Sequence, residues 1–143
     1  MNHILNGDEA MDAFLKIGHA VTVSRVFTQE DFNRFAALSG DDNPIHVNPE
    51  FSARTRFGKT VCHGMLLYGT ICGALSAHFP GVRQLEQELM FPNPTFVGEA
   101  VTVRLEVAEV WPAARVARLK VLITKASGET TCEGQTLVHW RAG

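Results

Sequence analysis

The sequence predicts a single α+β domain, in which an antiparallel sheet of about five strands wraps around one central buried helix. The chain has 143 residues, 45% hydrophobic and 20% charged, which is typical of one globular domain. Residues 64–77 contain no Asp, Glu, Lys or Arg and are small or apolar on every helical face, which favours a buried helix. Much of the remaining chain alternates apolar and polar residues, which indicates half-buried strands.

The N-terminal segment is the least patterned part of the chain. We expect residues 1–19 to be an extension of the domain formed by residues 20–143. Within the extension, Met11, Phe14 and Leu15 are spaced to form a short helix that caps the core.

A strand and a helix follow the extension. Residues 20–27 alternate as a strand, with Val21, Val23 and Phe27 on one face. Thr28 is suited to cap a helix whose first turn is acidic and which ends at Ser39-Gly40. The apolar residues that this helix is expected to bury are Phe32, Phe35 and Leu38.

The middle of the chain alternates between loop and helix. Residues 41–46 are rich in turn-forming residues and are predicted to be a loop, followed by a short helix over 49–56. The central helix is predicted over 64–79, where Gly69 and Gly73 share one face and permit close approach of a backbone or ligand.

The C-terminal half is predicted to be strands. The segments 85–91, 100–110, 115–124 and 130–141 have strand patterns, and residues 126–129 (ASGE) form a hairpin turn between the last two. A sheet of this size leaves edges exposed, so we expect a homodimer or a higher homo-oligomer.

Composition excludes several classes of function. The formal net charge of −2 and the lack of a basic stripe argue against a nucleic-acid partner. The longest apolar run, residues 65–77, is shorter than the about 20 residues that span a bilayer, so no membrane association is expected. The three cysteines form no CxxC pair and no secretory signal pattern is present, so we expect a cytoplasmic protein with free thiols.

The loop over residues 39–46 (SGDDNPIH) is the first candidate for chemistry. It places the carboxylate of Asp41 and the imidazole of His46 on a turn stiffened by Pro44. A histidine and a carboxylate that share one water form a proton-handling pair. Turn formation alone also explains Asp and Asn in such a loop, so spacing leaves both interpretations open.

The start of the central helix is the second candidate. The first backbone N–H groups of a helix have no intrahelical acceptor and lie at the positive end of its dipole. Gly64 would allow a thioester oxygen to approach these groups as it becomes an enolate. Close packing alone also explains a glycine there, and both interpretations remain open.

These two motifs together resemble a known family. Residues 39–46 match the motif S-G-D-x-N-P-[LIV]-H of the MaoC-like, (R)-specific enoyl-CoA hydratases, and residues 63–66 (HGML) match the motif that follows. The resemblance extends over about residues 20–140 and includes residues 96–99 (FVGE). It implies a hot-dog fold, active as a dimer or a dimer of dimers.

The resemblance also implies the reaction and its residues. Members hydrate a trans-2-enoyl thioester reversibly to the (3R)-3-hydroxyacyl thioester, carried by CoA or acyl carrier protein, without metal or redox cofactor. Asp41 and His46 would be the catalytic pair, Asn43 would help orient them, and the N–H of Gly64 would polarise the thioester carbonyl. The further residues that we expect to bind substrate are His63, Met65, Tyr68 and Cys72. The segment 91–95 (FPNPT) is a further candidate for the walls of the substrate pocket.

Other sites and functions remain as alternatives. The remaining histidines have no ligand spacing, so no metal site is expected. The cations Arg54, Arg56 and Lys59 would suit the phosphates of a CoA carrier, although the sequence favours a solvated charged stretch. A thioesterase of the same fold commonly presents an acidic residue on the central helix, and residues 64–79 contain none. A non-catalytic module that binds acyl thioesters is the third alternative.

Overall fold

The computed structural model describes residues 15–141 and confirms the predicted α+β architecture. Its strands form one fully antiparallel sheet in the order β1-β3-β4-β5-β2. The elements are β1 (Ala20–Val26), α1 (Gln29–Ser39), α2 (Pro44–Val47), α3 (Pro49–Ala53), α4 (Gly64–His78), β2 (Val82–Met90), β3 (Ala100–Trp111), β4 (Val116–Lys125) and β5 (Thr130–Trp140).

The core lies between the inner face of this sheet and α4. Alternate residues of β3 point inward as predicted, and each is at most 1% exposed; they are Val101, Val103, Leu105 and Val107. The apolar side of α4 that joins the same cluster consists of Leu67, Ile71, Ala74 and Leu75. Full burial of a Val or Leu side chain stabilises a fold by about 1.5–3 kcal/mol, so this layer is the main support for the position of α4.

The first helix has the predicted ends but a different buried face. Thr28 and Asp31 form a reciprocal capping box, and Gly40 ends the helix in the left-handed region with φ 82°. Phe32 is fully buried, whereas the prediction that Leu38 is buried is wrong, because it is 86% exposed. Leu38 lies six residues after Phe32, which places it about 120° around a helix with 3.6 residues per turn and away from the buried side.

The central helix is confirmed at its start and ends one residue earlier than predicted, at His78. The expectation that α4 is buried on every face is wrong for a single copy of the chain. Met65 is 56% exposed, and Gly69 and Gly73 are also exposed, with nothing within 4 Å of a Cβ added to either. One uncharged face of α4 therefore remains uncovered.

Two predictions in irregular regions need correction. The strand pattern of 85–91 places Leu85 on the same face as Gln87 and Leu89, but Leu85 is 47% exposed while the other two are partly buried. A register shift between Gln84 and Glu86 inserts it as an extra residue and reverses the alternation. The helix predicted over 49–56 ends at Ala53, with Arg54 as its C-cap.

The N-terminal prediction is tested only at its end. Leu15 is 4% exposed and belongs to the core cluster, while Met11 and Phe14 lie outside the described residues.

Among residues 15–141, no helix is long and apolar enough to cross a membrane.

Candidate active site: a histidine–carboxylate pair beside the start of the central helix

The loop that carries the candidate pair is held by local hydrogen bonds. After Gly40 reverses the chain, the N–H of Asp41 donates to Ser39 Oγ at 3.1 Å. The N–H of Asn43 donates to Asp41 Oδ1 at 3.4 Å. These bonds fix the direction of the Asp41 side chain, although that side chain is 54% exposed.

The second half of the loop is helical, which corrects the prediction of a loop up to His46. Asn43 caps the short helix α2 by accepting the N–H of Ile45 on its side-chain oxygen at 3.2 Å, and Pro44 occupies the first turn. The N–H of His46 donates to Asn43 O at 2.9 Å. Asn43 thus shapes the turn between Asp41 and His46.

The imidazole of His46 and the carboxylate of Asp41 face each other. His46 Nε2 lies 3.9 Å from Asp41 Oδ2, too far for a direct hydrogen bond. One water molecule between the two atoms can bond to both, because hydrogen bonds to water are about 2.8 Å long. The sequence-predicted pair is therefore brought together at the spacing that a shared water requires.

A backbone carbonyl selects the tautomer of His46. Its Nδ1 lies 2.6 Å from Val61 O, which can only accept, so Nδ1 carries the hydrogen. In the neutral ring the lone pair is then on Nε2, the nitrogen that faces Asp41. The neutral imidazole is a base at the atom nearest the carboxylate.

His63 lies behind the pair and is 1% exposed. Its ring stacks on that of His46 with centroids 3.9 Å apart, and its Nε2 lies 2.9 Å from Asp41 O. Burial has the largest influence and lowers the pKa of His63; the hydrogen bond to Asp41 opposes this, and the neighbouring His46 lowers the pKa further. The burial of this ring does not support the expectation that His63 contacts substrate.

Gly64 begins α4 immediately after His63, and the helix start has no side-chain cap. Within the described part of the chain, the N–H groups of Gly64 and Met65 have no acceptor. The ring of Phe91 covers the Cα of Gly64, because a Cβ added there would stand 3.1 Å from its Cζ. Close packing therefore explains the absence of a side chain, and the free N–H groups remain available to a ligand.

A cavity of about 260 Å³ opens beside Gly64, and the walls nearest this glycine include Cys62, Leu67 and Phe91. Asp41 and His46 are not among the described residues that line it. Its direct link to the pair is Val61, which lines the cavity and whose carbonyl oxygen lies 2.6 Å from His46 Nδ1.

Arg56 is the only charged side chain among the described residues that line this cavity. Its guanidinium lies over the ring of Phe57, 4.8 Å from the centroid. Within residues 15–141 it has no carboxylate partner. The cation is therefore free to bind an anionic group of a ligand.

The other residues predicted to bind substrate lie elsewhere on α4. Met65, Tyr68 and Cys72 are absent from the described lining of the cavity beside Gly64. The Cys72 thiol donates to Gln84 Oε1 at 3.3 Å. Burial, and then the hydrogen bond with Cys72, raises the pKa of Tyr68. These two side chains form a separate polar cluster between α4 and β2.

Two further features bear on the chemistry of the site. Burial, with the charge of Asp31, raises the pKa of the Cys62 thiol to about 12, so it is not a thiolate nucleophile at neutral pH. Asp41, His46 and His63 each offer a ligand atom within 4.8 Å of the others, a spacing that a metal ion can use. A carbonyl oxygen already contacts one ring nitrogen of each histidine, so only the other nitrogen of each ring could bind a metal ion.

Two parts of the site carry no signal in the sequence. The carbonyl of Val61 selects the tautomer of His46, and every residue type has such a carbonyl. The segment 91–95 was expected to line the pocket, and all five of its residues line the cavity. The contact of Phe91 with Gly64, however, is made only by the tertiary fold. A local sequence motif cannot contain either contact.

Comparisons with known proteins identify the family. Residues 15–129 match the family described as MaoC like domain. The chain is 36% identical over 126 residues to an (R)-specific enoyl-CoA hydratase of Aeromonas caviae, covering 87% of this chain and 94% of the relative. It is 36% identical over 92 residues to a mitochondrial 3-hydroxyacyl-[acyl-carrier-protein] dehydratase of Arabidopsis thaliana, covering 64% and 55%. The solved structure of an (R)-hydratase of A. caviae superposes with a TM-score of 0.86 at 35% identity, covering 89% of this chain and 98% of that one.

Proposed function

Because the chain belongs to the MaoC-like family and has its hot-dog fold, we propose that it is a hydro-lyase, an (R)-specific enoyl-thioester hydratase. It adds water across the C2=C3 bond of a trans-2-enoyl thioester to give the (3R)-3-hydroxyacyl thioester, and catalyses the reverse dehydration. The observation that carries the proposal is the 3.9 Å separation of His46 Nε2 and Asp41 Oδ2, which one shared water can bridge.

In this proposal, Asp41 and His46 are the catalytic residues and hold the attacking water between them. As the water oxygen bonds to C3, the pair accepts one of its protons, and one proton is returned to C2, so that no net proton is consumed. Since Val61 O fixes the hydrogen on Nδ1 of His46, its Nε2 is the atom that exchanges protons. Asn43 shapes the turn that sets the two side chains opposite each other.

Gly64 supplies the stabilising group for the enolate. When water adds to C3, negative charge develops on the thioester oxygen, and the uncapped N–H groups at the start of α4 are suited to stabilise it. The helix dipole acts in the same direction. The uncapped helix start therefore supports an oxyanion site at this position.

The carrier arm of the thioester is proposed to leave the cavity past Arg56. Arg56 is exposed, unpaired within the described residues, and held over Phe57, an arrangement that suits a phosphate of the carrier. CoA and acyl carrier protein both present such a phosphate, so this contact serves either carrier. Tyr68 and Cys72, with Met65 at the start of the same helix, remain proposed contacts of the acyl group.

A second copy of the chain is proposed to complete the assembly. The uncovered face of α4 includes Met65, Gly69 and Gly73 and carries no charge. The edge strand β2 leaves Leu85 47% and Met90 60% exposed. Uncharged helix faces and open sheet edges are commonly covered by an identical subunit. Sedimentation of the purified protein as a dimer or tetramer would agree, and a monomer at assay concentration would contradict this part.

The domain limits and the cellular compartment are part of the same proposal. Residues 20–143 form one domain, to which residues 1–19 belong as an extension. Cys62, Cys72 and Cys132 are free thiols, which fits a cytoplasmic protein.

The proposed activity is tested with crotonyl-CoA. Loss of enoyl absorbance, with a product oxidised only by a (3R)-specific 3-hydroxyacyl-CoA dehydrogenase, is the expected result. Release of free CoA thiol would instead indicate a thioesterase, a function disfavoured by the absence of Asp and Glu from α4. Tight binding of crotonyl-CoA without turnover would indicate a non-catalytic module.

A further inference from the structure

His63 contacts both members of the catalytic pair through different groups. Its ring stacks on the His46 ring with an interplanar angle of 23° and a centroid distance of 3.9 Å. Its Nε2 lies 2.9 Å from the backbone oxygen of Asp41. At 1% exposure, the side chain has no open surface toward a ligand. One buried ring therefore connects the imidazole of the pair to the backbone of its carboxylate residue.

The contacts of His63 determine which nitrogen carries its hydrogen. Asp41 O can only accept a hydrogen bond, so Nε2 of His63 is the donor. Nδ1 is buried and has no hydrogen-bond partner among the described residues, so it retains its lone pair. Protonation would bury an unpaired N–H and set a cation against the ring of His46. His63 is thus suited to remain neutral while the pair exchanges protons.

Aromatic edges from α1 fix the plane of this ring. Phe35 meets it edge-on with centroids 4.8 Å apart, and Phe32 does so at 6.3 Å. Phe32 is fully buried, so the ring of His63 rests on a rigid part of the core. A ring held on one side by α1 and on the other by His46 has little freedom to rotate.

The backbone of His63 links the same ring to the helix start. His63 is the N-cap residue of α4 and directly precedes Gly64. His63 therefore contacts the catalytic pair through its ring and begins α4 through its backbone, so it helps to set the distance between them. Misplacement of reacting groups by about 1 Å can lower a rate by about 10²-fold, so this link is where a small change has a large effect.

We propose that His63 is a positioning residue, a neutral imidazole that holds Asp41 and His46 at the spacing of a shared water and at a fixed distance from Gly64. It does not transfer a proton and does not touch substrate. The proposal rests on the proposed hydratase function. It explains why a histidine with a donor and a flat ring, rather than a smaller capping residue, precedes Gly64.

Two substitutions separate the contributions of the ring and of the donor. His63→Phe keeps a ring to stack on His46 and loses the donor to Asp41 O. His63→Gln keeps a side-chain N–H and loses the ring. His139→Gln is the matched control, since His139 also has a buried Nδ1 without a partner in the described chain but lies on β5.

The expected result is a loss of kcat for crotonyl-CoA of about 10- to 100-fold in each His63 variant, with KM changed by less than about threefold. The kcat–pH profile of His63→Gln keeps every limb of the wild-type profile, because His63 does not titrate in the reaction. His139→Gln retains wild-type kcat and KM. Thermal unfolding of each variant establishes that it is folded at the assay temperature.

Three results would overturn the proposal. A raised KM with unchanged kcat would make His63 a substrate contact, and loss of one pH limb would make it a proton donor or acceptor. Wild-type kinetics in both folded variants would remove the role. A wild-type protein without hydratase activity would instead overturn the proposed function, which is a distinguishable failure.

Nitrogen NMR of the wild-type protein tests the same proposal if the variants fail to fold. The expected spectrum shows His63 protonated only on Nε2 and unchanged between about pH 5.5 and 8, the range in which an ordinary histidine titrates. A hydrogen on Nδ1, or titration within that range, would overturn the proposal whatever the activity of the protein.

Discussion

The two halves of the candidate site are built in different ways. The half that carries Asp41 and His46 is held by short-range hydrogen bonds, a ring stack and a carbonyl that selects the His46 tautomer. The half that surrounds Gly64 is a cavity walled mostly by apolar side chains, with an unpaired cation in its lining among the described residues. In the proposed reaction the first half transfers protons, and the second half stabilises the enolate at Gly64 and binds the carrier at Arg56. Changes to the pair and to Gly64 should therefore lower kcat, whereas a change at Arg56 should raise KM.

Removing a member of the pair should have the largest effect. Asp41→Asn and His46→Gln are each expected to lower kcat for crotonyl-CoA by about 10²- to 10⁴-fold, because general acid–base catalysis contributes rates of this size. Both changes preserve side-chain size, and KM should change little. Steady-state kinetics measure this, and activity retained in both variants would remove the pair from the mechanism.

Changing the packing of Gly64, inside the cavity half, should have the next largest effect. Gly64→Ala places a Cβ 3.1 Å from Phe91 Cζ, so the ring or the helix start must move. We expect kcat to fall about tenfold, since the displacement is smaller than the about 1 Å that costs 10²-fold. Adding Phe91→Leu to Gly64→Ala should restore part of the loss, and a double-mutant cycle measures the coupling. Independent effects of the two changes would contradict the contact.

Removing the cavity cation should affect binding alone. Arg56→Gln is expected to raise KM for crotonyl-CoA about 5- to 10-fold, because an exposed charge-assisted hydrogen bond is partly screened. The N-acetylcysteamine ester of crotonic acid has no phosphate, so its kcat/KM should be the same in wild type and Arg56→Gln. An equal loss with both substrates would show that Arg56 does not act through a phosphate.

Two helix caps offer the smallest effect and the sharpest comparison. The Asn43 and Thr28 side chains each accept a backbone N–H at a helix start. Replacing either by Ala should lower the free energy of unfolding by about 1 kcal/mol. Thermal and denaturant unfolding check this. Only Asn43→Ala should also lower kcat, because only that cap lies between Asp41 and His46; equal kcat losses would mean that the loop has no special role.

The sequence predicted the features that depend on local pattern. The strand alternation of β3, the capping of α1 by Thr28 and the start of α4 at Gly64 follow from period, cap chemistry and the lack of charge. Leu38 and Leu85 were misplaced. The pattern of α1 does not reveal which side faces the core, and the bulge in β2 reverses the alternation without a sequence signal.

The two residues of the candidate pair could be named from the sequence, but their geometry could not. The motif placed Asp41 and His46 on one loop, which the structure brings to 3.9 Å. The tautomer of His46 depends on the carbonyl of Val61, and the burial of His63 depends on α1 packing against it. Both are tertiary contacts made by atoms that the motif does not include.

The most direct measurement is a crystal structure of the Asp41→Asn variant with crotonyl-CoA bound, in which slow turnover preserves the substrate. We expect one water within hydrogen-bond distance of both the substituted side chain at position 41 and His46 Nε2, next to C3, and the thioester oxygen on the N–H of Gly64. A thioester bound away from Gly64, or a C3 that no water between these two side chains can reach, would contradict the account.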